Sequence, residues 1–596
     1  MKKPSGLIRL LLTLFESYAI TATLMFAADA REPQFVSAVV MLLAFGLLSL
    51  DAEAASRRIR VVAAVLGFCF GACTVLANYA LCIELYGGFF CFDTAVTFLL
   101  SWVAFTTLLT LLYQRLSHAS VLAAAPLKWS ARRVFLVCFF SFAAVYTLAF
   151  LCHYPGNVMA DMRWQLVQIV GLDPYTNHHP MAHTLAMKVF FDLGVALFHS
   201  QNAGVACITI AQYLAVSAAF AYTVSTMARL KVRAWLVAAS ALFFAFAPNN
   251  LLFAITPVKD IPFSILSLTM LTALLRIVFF ARRGETKRAL VGDMLLLFVG
   301  SFGACVMRTN GLYAFIPFLA LCFVFLRKRD WRTLPVMGAA LVLALVFRGP
   351  VLDAYQIPPP DPVESLSLPV QHIARVVTDN MPLTDEEYAL LSQVVNVEKI
   401  PETYVPYTSD YIKALVRETD NQAYLTAHAG DYFRLWVALG LRYPAEYLYA
   451  QIDETVGFWY PNVQYESMYL GGIHKESTRL DIETQPKLTG IIPSLLTKWL
   501  TGPRDFPVYA LIFSIGTATW IAVAMFGMAV VGGGRETLLP YLFQFLVFDT
   551  LMVATPVHAE FRYLYSLFTM LPLVFVLPFL RPDADGDTGN AGETAA

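Results

Sequence analysis

Apolar stretches of about 20 residues, the length that crosses roughly 30 Å of hydrocarbon, recur along this chain and are separated by short polar loops. Fourteen are read as spans: 7–28, 34–50, 61–83, 92–113, 134–153, 203–227, 234–254, 261–281, 289–307, 311–326, 333–348, 506–531, 538–556 and 563–580. Basic residues fall in alternate loops. With Lys2, Lys3 and Arg9 inside, Arg57-Arg58-Arg60, Arg115 to Arg133, Arg229-Lys231-Arg233, Arg282-Arg283-Lys287-Arg288, Arg327-Lys328-Arg329 and Arg535 all become cytoplasmic. The run 185–198 is short and carries Asp192, so it is read as a re-entrant or interfacial helix. Counted as a crossing, it would turn Arg229-Lys231-Arg233 outward. Residues 1–30 read as a retained first helix, because Arg9 and Glu16 interrupt the apolar stretch. Lys2-Lys3 and Ala28-Asp29-Ala30 also resemble a cleavable signal, and cleavage would leave the remaining orientation unchanged.

One interval breaks this rhythm. Residues 349–505 hold 21 acidic and 11 basic residues, a net of −10, yet keep enough apolar and aromatic side chains to fold. Helical patterning over Val363 to Val377, Asp385 to Val397, Tyr411 to Glu418 and Tyr432 to Tyr449 predicts a mostly α-helical extracytoplasmic domain. The chain thus divides into N-terminal transmembrane helices (1–133), a transmembrane core (134–348) whose outer loop is 154–202, the extracytoplasmic domain (349–505), C-terminal transmembrane helices (506–580) and an acidic cytoplasmic tail, read as disordered (581–596).

Composition agrees with this reading. The 596 residues are 58% hydrophobic and 14% charged, with a mean hydropathy of +0.62. An all-α polytopic membrane protein of about 14 transmembrane helices follows. The formal net charge is zero, so charge balance gives no reason to expect nucleic acid. The nine cysteines lie in or beside spans. Cys82 and Cys91 flank one short loop, where a disulfide and two free thiols are both open.

The unusual polar residues gather on the outer side, where membrane-depth charge is costly and marks function. Val158 to Val170 scans as an interfacial helix. Asp161, Gln165 and Gln168 share one face with Trp164 beside them, opposite Met159, Met162, Leu166, Ile169 and Val170. A carboxylate, two amides and an indole suit a hydroxylated ligand; a solvated helix face is the plainer reading. His178, His179 and His183 follow around Pro180. They are read for polar or phosphate contacts, with structural hydrogen bonding and a divalent metal at the i, i+4 pair left open. No cofactor is otherwise implied. Lys259-Asp260 stands where a span begins, fitting either an N-cap or a phosphate contact with a second carboxylate. Arg308 beside a helix start fits a phosphate seat or a headgroup anchor. Glu364, Gln371 and Arg375 in the large domain, Trp459 in an aromatic Gly457–Pro461 segment, and Glu560 with Arg562 complete the candidate set.

Taken together these motifs resemble the GT-C superfamily of membrane glycosyltransferases. Asp161 matches its acidic first-loop position, Lys259-Asp260 and Arg308 its later phosphate or carboxylate positions, and Glu560-Phe561-Arg562-Tyr563 an acidic-Arg-Tyr element near the end. The chain is also similar, over 134–580, to an uncharacterised bacterial membrane family carrying Tyr154-Pro155-Gly156, Asn177 to Pro180 and Lys259 to Pro262 together. It departs from many GT-C enzymes in having five spans before the Asp161 loop, and Asp161-Met162 in place of an Asp-Glu pair.

The resemblance implies a GT-C-like bundle at the cytoplasmic membrane. It would transfer a sugar from a polyprenyl-phosphate donor to a glycan, lipid or protein acceptor hydroxyl outside. Asp161 would be the base and Asp260 the second carboxylate. Lys259, Arg308 and Arg562 would hold the phosphate, and Trp164, Gln165, His178, His179, Glu364, Gln371, Arg375, Trp459 and Glu560 the substrates. A transporter or flippase for lipid-linked or small solutes is the principal alternative; a scaffold without chemistry and a ligase or polymerase of lipid-linked glycans are others.

Overall fold

The computed structural model describes residues 6–30, 34–50, 55–122, 127–282, 290–328, 330–461, 463, 472–473, 479–501, 511 and 513–581. Lys2, Lys3, Arg283, Lys287, Arg288, Arg329 and the tail beyond Arg581 lie outside the described residues. So does most of 502–512, where a span was expected to begin.

Residues 1–120 with 519–533 form one compact unit. Its helices are α1 (Gly6–Ala27), α2 (Gln34–Leu50), α3 (Arg57–Ala77), α4 (Tyr79–Tyr86) and α5 (Phe92–Ser117), joined by most of the helix Ile515–Gly532. Ser56 starts α3 by accepting the Ile59 amide with its hydroxyl, satisfying one of the free N–H groups of the first turn. The Tyr113 hydroxyl donates to the Ala524 carbonyl at 2.8 Å, and Trp520 stacks on Phe70. Cys82 and Cys91 are both free thiols.

Residues 121–518 with 534–596 form the second unit. Its helices begin with α6 (Ala131–Cys152), α7 (Ala160–Ile169), α8 (Met181–Phe198), α9 (Gln201–Arg229), α10 (Ala234–Phe246), α11 (Pro248–Ala254), α12 (Asp260–Arg282), α13 (Val291–Met307), α14 (Thr309–Leu326) and α15 (Thr333–Val346). The hydrogen bonds between segments order the ends of these helices. Arg233 donates its amide to Val121 just before α6, and Thr209 on α9 donates its hydroxyl to Pro155 just after α6. The guanidinium of Arg229 covers the Phe280 ring near the end of α12 remote from Asp260. Arg229-Lys231-Arg233 therefore lies at the end opposite Asp161. A Cβ on Gly194 would stand 2.4 Å from the Ala203 carbonyl oxygen, so α8 packs tightly and antiparallel on the first turns of α9.

Among the described residues, eleven helices are long and apolar enough to cross a membrane, or twelve if α10 and α11 count as one bent span. The chain is a helical multi-pass membrane protein. The count differs from the fourteen expected for physical reasons. Pro248 follows a 51° bend where one span was read. The run 563–580 breaks into a 3-10 turn, a helix Tyr565–Val574 and a second 3-10 turn. Helices 35–49 and 291–307 fall short of the length required, whereas α8 meets it.

The acidic interval folds around its own core, including Val363, Ala374, Val376, Leu415 and Leu439. Its helices include Ser367–Thr378, Asp385–Leu391, Asp410–Glu418, Ala429–Arg442 and Pro444–Trp459. Thr384 and Glu387 form a reciprocal capping box at the second of these. The single helix expected over 432–449 is two, because Pro444 has no amide to continue the first and opens the second instead.

Candidate functional site

The first-loop segment and the start of α12 are tied together by their backbones. The Asn157 amide donates to the Ile255 carbonyl at 2.8 Å, and its side chain donates to the Thr256 hydroxyl at 3.0 Å. Gln212 on α9 donates to the carbonyls of Phe253 and Thr256, holding the turn before α12. These bonds place Asp161, on the first turn of α7, beside Lys259. The Lys259 ammonium donates to Asp161 Oδ2 at 2.9 Å, and the Arg562 guanidinium donates to the same oxygen at 2.7 Å.

Behind this pair, Asp260 is fully buried and faces Arg308 at 3.1 Å and Arg562 at 3.5 Å. Arg562 also faces Glu560 at 3.3 Å. Arg308 donates to the Tyr563 carbonyl and lies over the rings of Phe263 and Tyr563. Three carboxylates and three cations thus form one continuous, largely buried network. Mutual pairing is what makes such burial tolerable. Burial alone would raise the Asp161 carboxyl; Arg562, then Lys259, overcome it and hold the group well below the ordinary carboxylate range.

His179 adds a donor. Burial, reinforced by the Lys259 charge, pushes its imidazole down to about 3, so the ring is neutral near pH 7. Lys259 Nζ lies 3.1 Å from His179 Nδ1. An ammonium can only donate, so Nδ1 accepts and the ring proton belongs on Nε2. That Nε2 is buried and has no hydrogen-bond partner among the described residues. A fixed, unsatisfied N–H beside two cations suits an oxygen of a phosphate or a sugar.

The remaining candidates separate into site and scaffold. Gln165 and Gln168 are not on an open face. Gln165 is fully buried, meeting His183 Nδ1 at 3.0 Å and donating to Thr184 at 2.8 Å, while Gln168 donates to Thr176. Leu480 and Ile482 pack with Met162 and Leu166 of α7, and Gly472 bonds Val158, Glu483 bonds Asn202 and Arg479 pairs with Asp173 around it. Both sides of α7 are therefore covered, which the two-face pattern did not reveal. Trp164 points away from this packing, 51% exposed, under the Arg163 guanidinium. His178 is exposed.

Glu364, Gln371 and Arg375 belong to the helical domain and do not join the Asp161 network. Glu364 pairs with Lys413 and Arg417, Gln371 donates to the Val405 carbonyl, and Arg375 pairs with Asp379, Glu446 and Asp453. Trp459 is half-buried and donates to Thr455 on its own helix, with Phe458 fully buried, so this aromatic segment packs largely inward. The domain does reach the site indirectly. A Cβ on Gly457 would stand 2.2 Å from Ala559 Cβ, and the Gly457 amide donates to the His558 carbonyl. Ser409 and Thr408 donate to the Pro556 carbonyl. The segment that presents Glu560 and Arg562 is thereby held from above. Sequence reading missed the Tyr563 carbonyl and the Asn157–Thr256–Gln212 ties, whose only sequence signal is an amide inside an apolar span.

No group of three or more His, Cys, Asp or Glu among the described residues is arranged to hold a metal ion. The chain belongs to a family of unknown function (DUF6020), which matches residues 173–587. Lys259, Asp260, Arg308, Glu560 and Arg562 lie within the match, and Asp161 precedes it. No curated protein and no solved structure matches the chain.

Proposed function

We propose that this family member is a GT-C-type glycosyltransferase of the cytoplasmic membrane. It moves a sugar from a polyprenyl-phosphate donor to an acceptor hydroxyl on the extracytoplasmic side. The observation that carries this reading is the placement of Asp161 between Lys259 and Arg562, with the unsatisfied His179 N–H alongside. Phosphate oxygens would take hydrogen bonds from Lys259, Arg562 and His179, charge-assisted in the case of the two cations. Arg308 would support Asp260 from behind and keep Arg562 oriented.

Asp161 would be a poor base while doubly paired. A donor phosphate that draws Lys259 and Arg562 away would let its pKa climb toward the range a general base requires. The acceptor oxygen then bonds to the anomeric carbon, its proton passes to Asp161, and the carbon–oxygen bond to phosphate breaks with its electron pair leaving on the phosphate. Direct displacement inverts the anomeric carbon. A placed charge on the leaving phosphate is worth about 3–4 kcal/mol of barrier.

The test is transfer by the purified protein in nanodiscs with labelled polyprenyl-phosphate hexoses. Asp161→Asn is expected to retain donor but release no polyprenyl phosphate. Undiminished release by that variant would remove Asp161 from the chemistry, and retention by neither protein would favour the transporter.

A further inference from the structure

The helical domain carries a part-open cavity of about 450 Å³, within the range of roughly 300–1,000 Å³ in which proteins hold small ligands. Its wall is aliphatic, with Val370, Ile373, Val394 and Ile412 among the lining residues. The polar groups on that wall are already engaged. Tyr432 donates to the Leu390 carbonyl, Trp436 to His372 Nδ1, Ser365 to the Pro362 carbonyl and Thr426 to the Gln422 carbonyl. Each of these side chains already spends its donor within the protein, so a sugar or a peptide backbone would bury polar groups there with few partners.

An apolar approach leads to the cavity. Phe433, which lines it and is 62% exposed, continues along the helix Ala429–Arg442 into exposed Val437 and Leu441 at steps of four residues. This stripe belongs to a chain that is itself multi-pass in a membrane. On the other side the cavity wall at Pro362–Leu366 adjoins the first loop. The Asn177 amide donates to the Pro358 carbonyl.

We infer that this cavity binds one acyl chain of a membrane lipid. Its volume suits a single ordinary lipid chain and not the far longer chain of a polyprenyl carrier. The site does not depend on sugar transfer at Asp161.

The full-length protein in nanodiscs would be irradiated with a phospholipid carrying a diazirine near the end of one palmitoyl chain, and cross-linked peptides mapped by mass spectrometry. Wild type is expected to cross-link within Ser367–Thr378 and Ala429–Arg442. Filling the cavity by Ala374→Phe is expected to reduce those adducts at least tenfold, with adducts on the apolar transmembrane helices unchanged. Phe433→Asp at the exposed mouth is expected to reduce them several-fold with no change in Tm, which keeps the test valid if the filled variant misfolds. Adducts confined to transmembrane helices in wild type would overturn the proposal. So would unchanged cavity labelling in Phe433→Asp, or labelling there by a diazirine-bearing polyprenyl phosphate and not by the acyl probe.

Discussion

Arg562 contacts all three carboxylates of the network, at 2.7 Å for Asp161, 3.3 Å for Glu560 and 3.5 Å for Asp260. Replacing it with methionine keeps most of the volume and takes one cation away from each of the three buried acids. Arg562→Met is expected to lower stability by about 3–5 kcal/mol, as when one partner of a buried ion pair is deleted. Thermal unfolding in detergent would measure this, with Arg562→Lys losing less. An unchanged Tm for Arg562→Met would mean the network is not coupled as its distances imply. These residues were legible in the sequence because ionisable groups at span ends are expensive and few. Gln165 was legible as a residue but not in its role. Helical spacing places it on the face of Asp161 but does not say whether water or His183 waits there. Glu364, Gln371 and Arg375 stand apart from the Asp161 network, and a polar residue in an acidic domain reads identically in a site and in a structural ion pair.

At the scale of elements, the helix Pro444–Trp459 joins the domain to the segment bearing Arg562. Its Gly457 is required by close approach, because a side chain there would collide with Ala559 and the His558 carbonyl. Gly457→Val is expected to displace Glu560 and Arg562 and lower kcat about 10²-fold, with circular dichroism showing the helices retained. Activity near wild type would show that the contact does not position the site. On the same helix, burial and then a hydrogen bond with Asp379 raise Glu446 from 4.5 to about 7, against the pull of Arg375. The fold favours its protonated form, so this stabilisation is complete below about pH 4.5 and is lost as the pH rises through about 7. Tm of the domain transition is expected to fall over that interval in wild type and to fall less in Glu446→Gln. An equal fall in both would assign the titration elsewhere. Most helices were legible from periodicity and length; the breaks at Pro248 and Pro444 were visible as prolines but not as the bend and the second helix they produce.

For the whole molecule, topology is the claim that the other scales rest on. Leu172 follows α7 and accepts from Arg479, whereas Lys231 follows Arg229, whose guanidinium covers Phe280 at the end of α12 remote from Asp260. In intact cells, Leu172→Cys is expected to react with a membrane-impermeant maleimide and Lys231→Cys only after permeabilisation, both in a background freed of other cysteines. Labelling of both in intact cells would make α8 a crossing and move the basic cluster outside. Alternation of basic loops predicts this orientation without any contact information, whereas the number of crossings depends on bends and helix lengths that hydropathy cannot resolve.

The most direct test of sugar transfer at Asp161 remains turnover of labelled polyprenyl-phosphate hexoses in nanodiscs. Wild type is expected to bind donor and release polyprenyl phosphate, and Asp161→Asn to bind donor without release. Equal release by the two proteins, or a folded wild type that binds no donor, would contradict it.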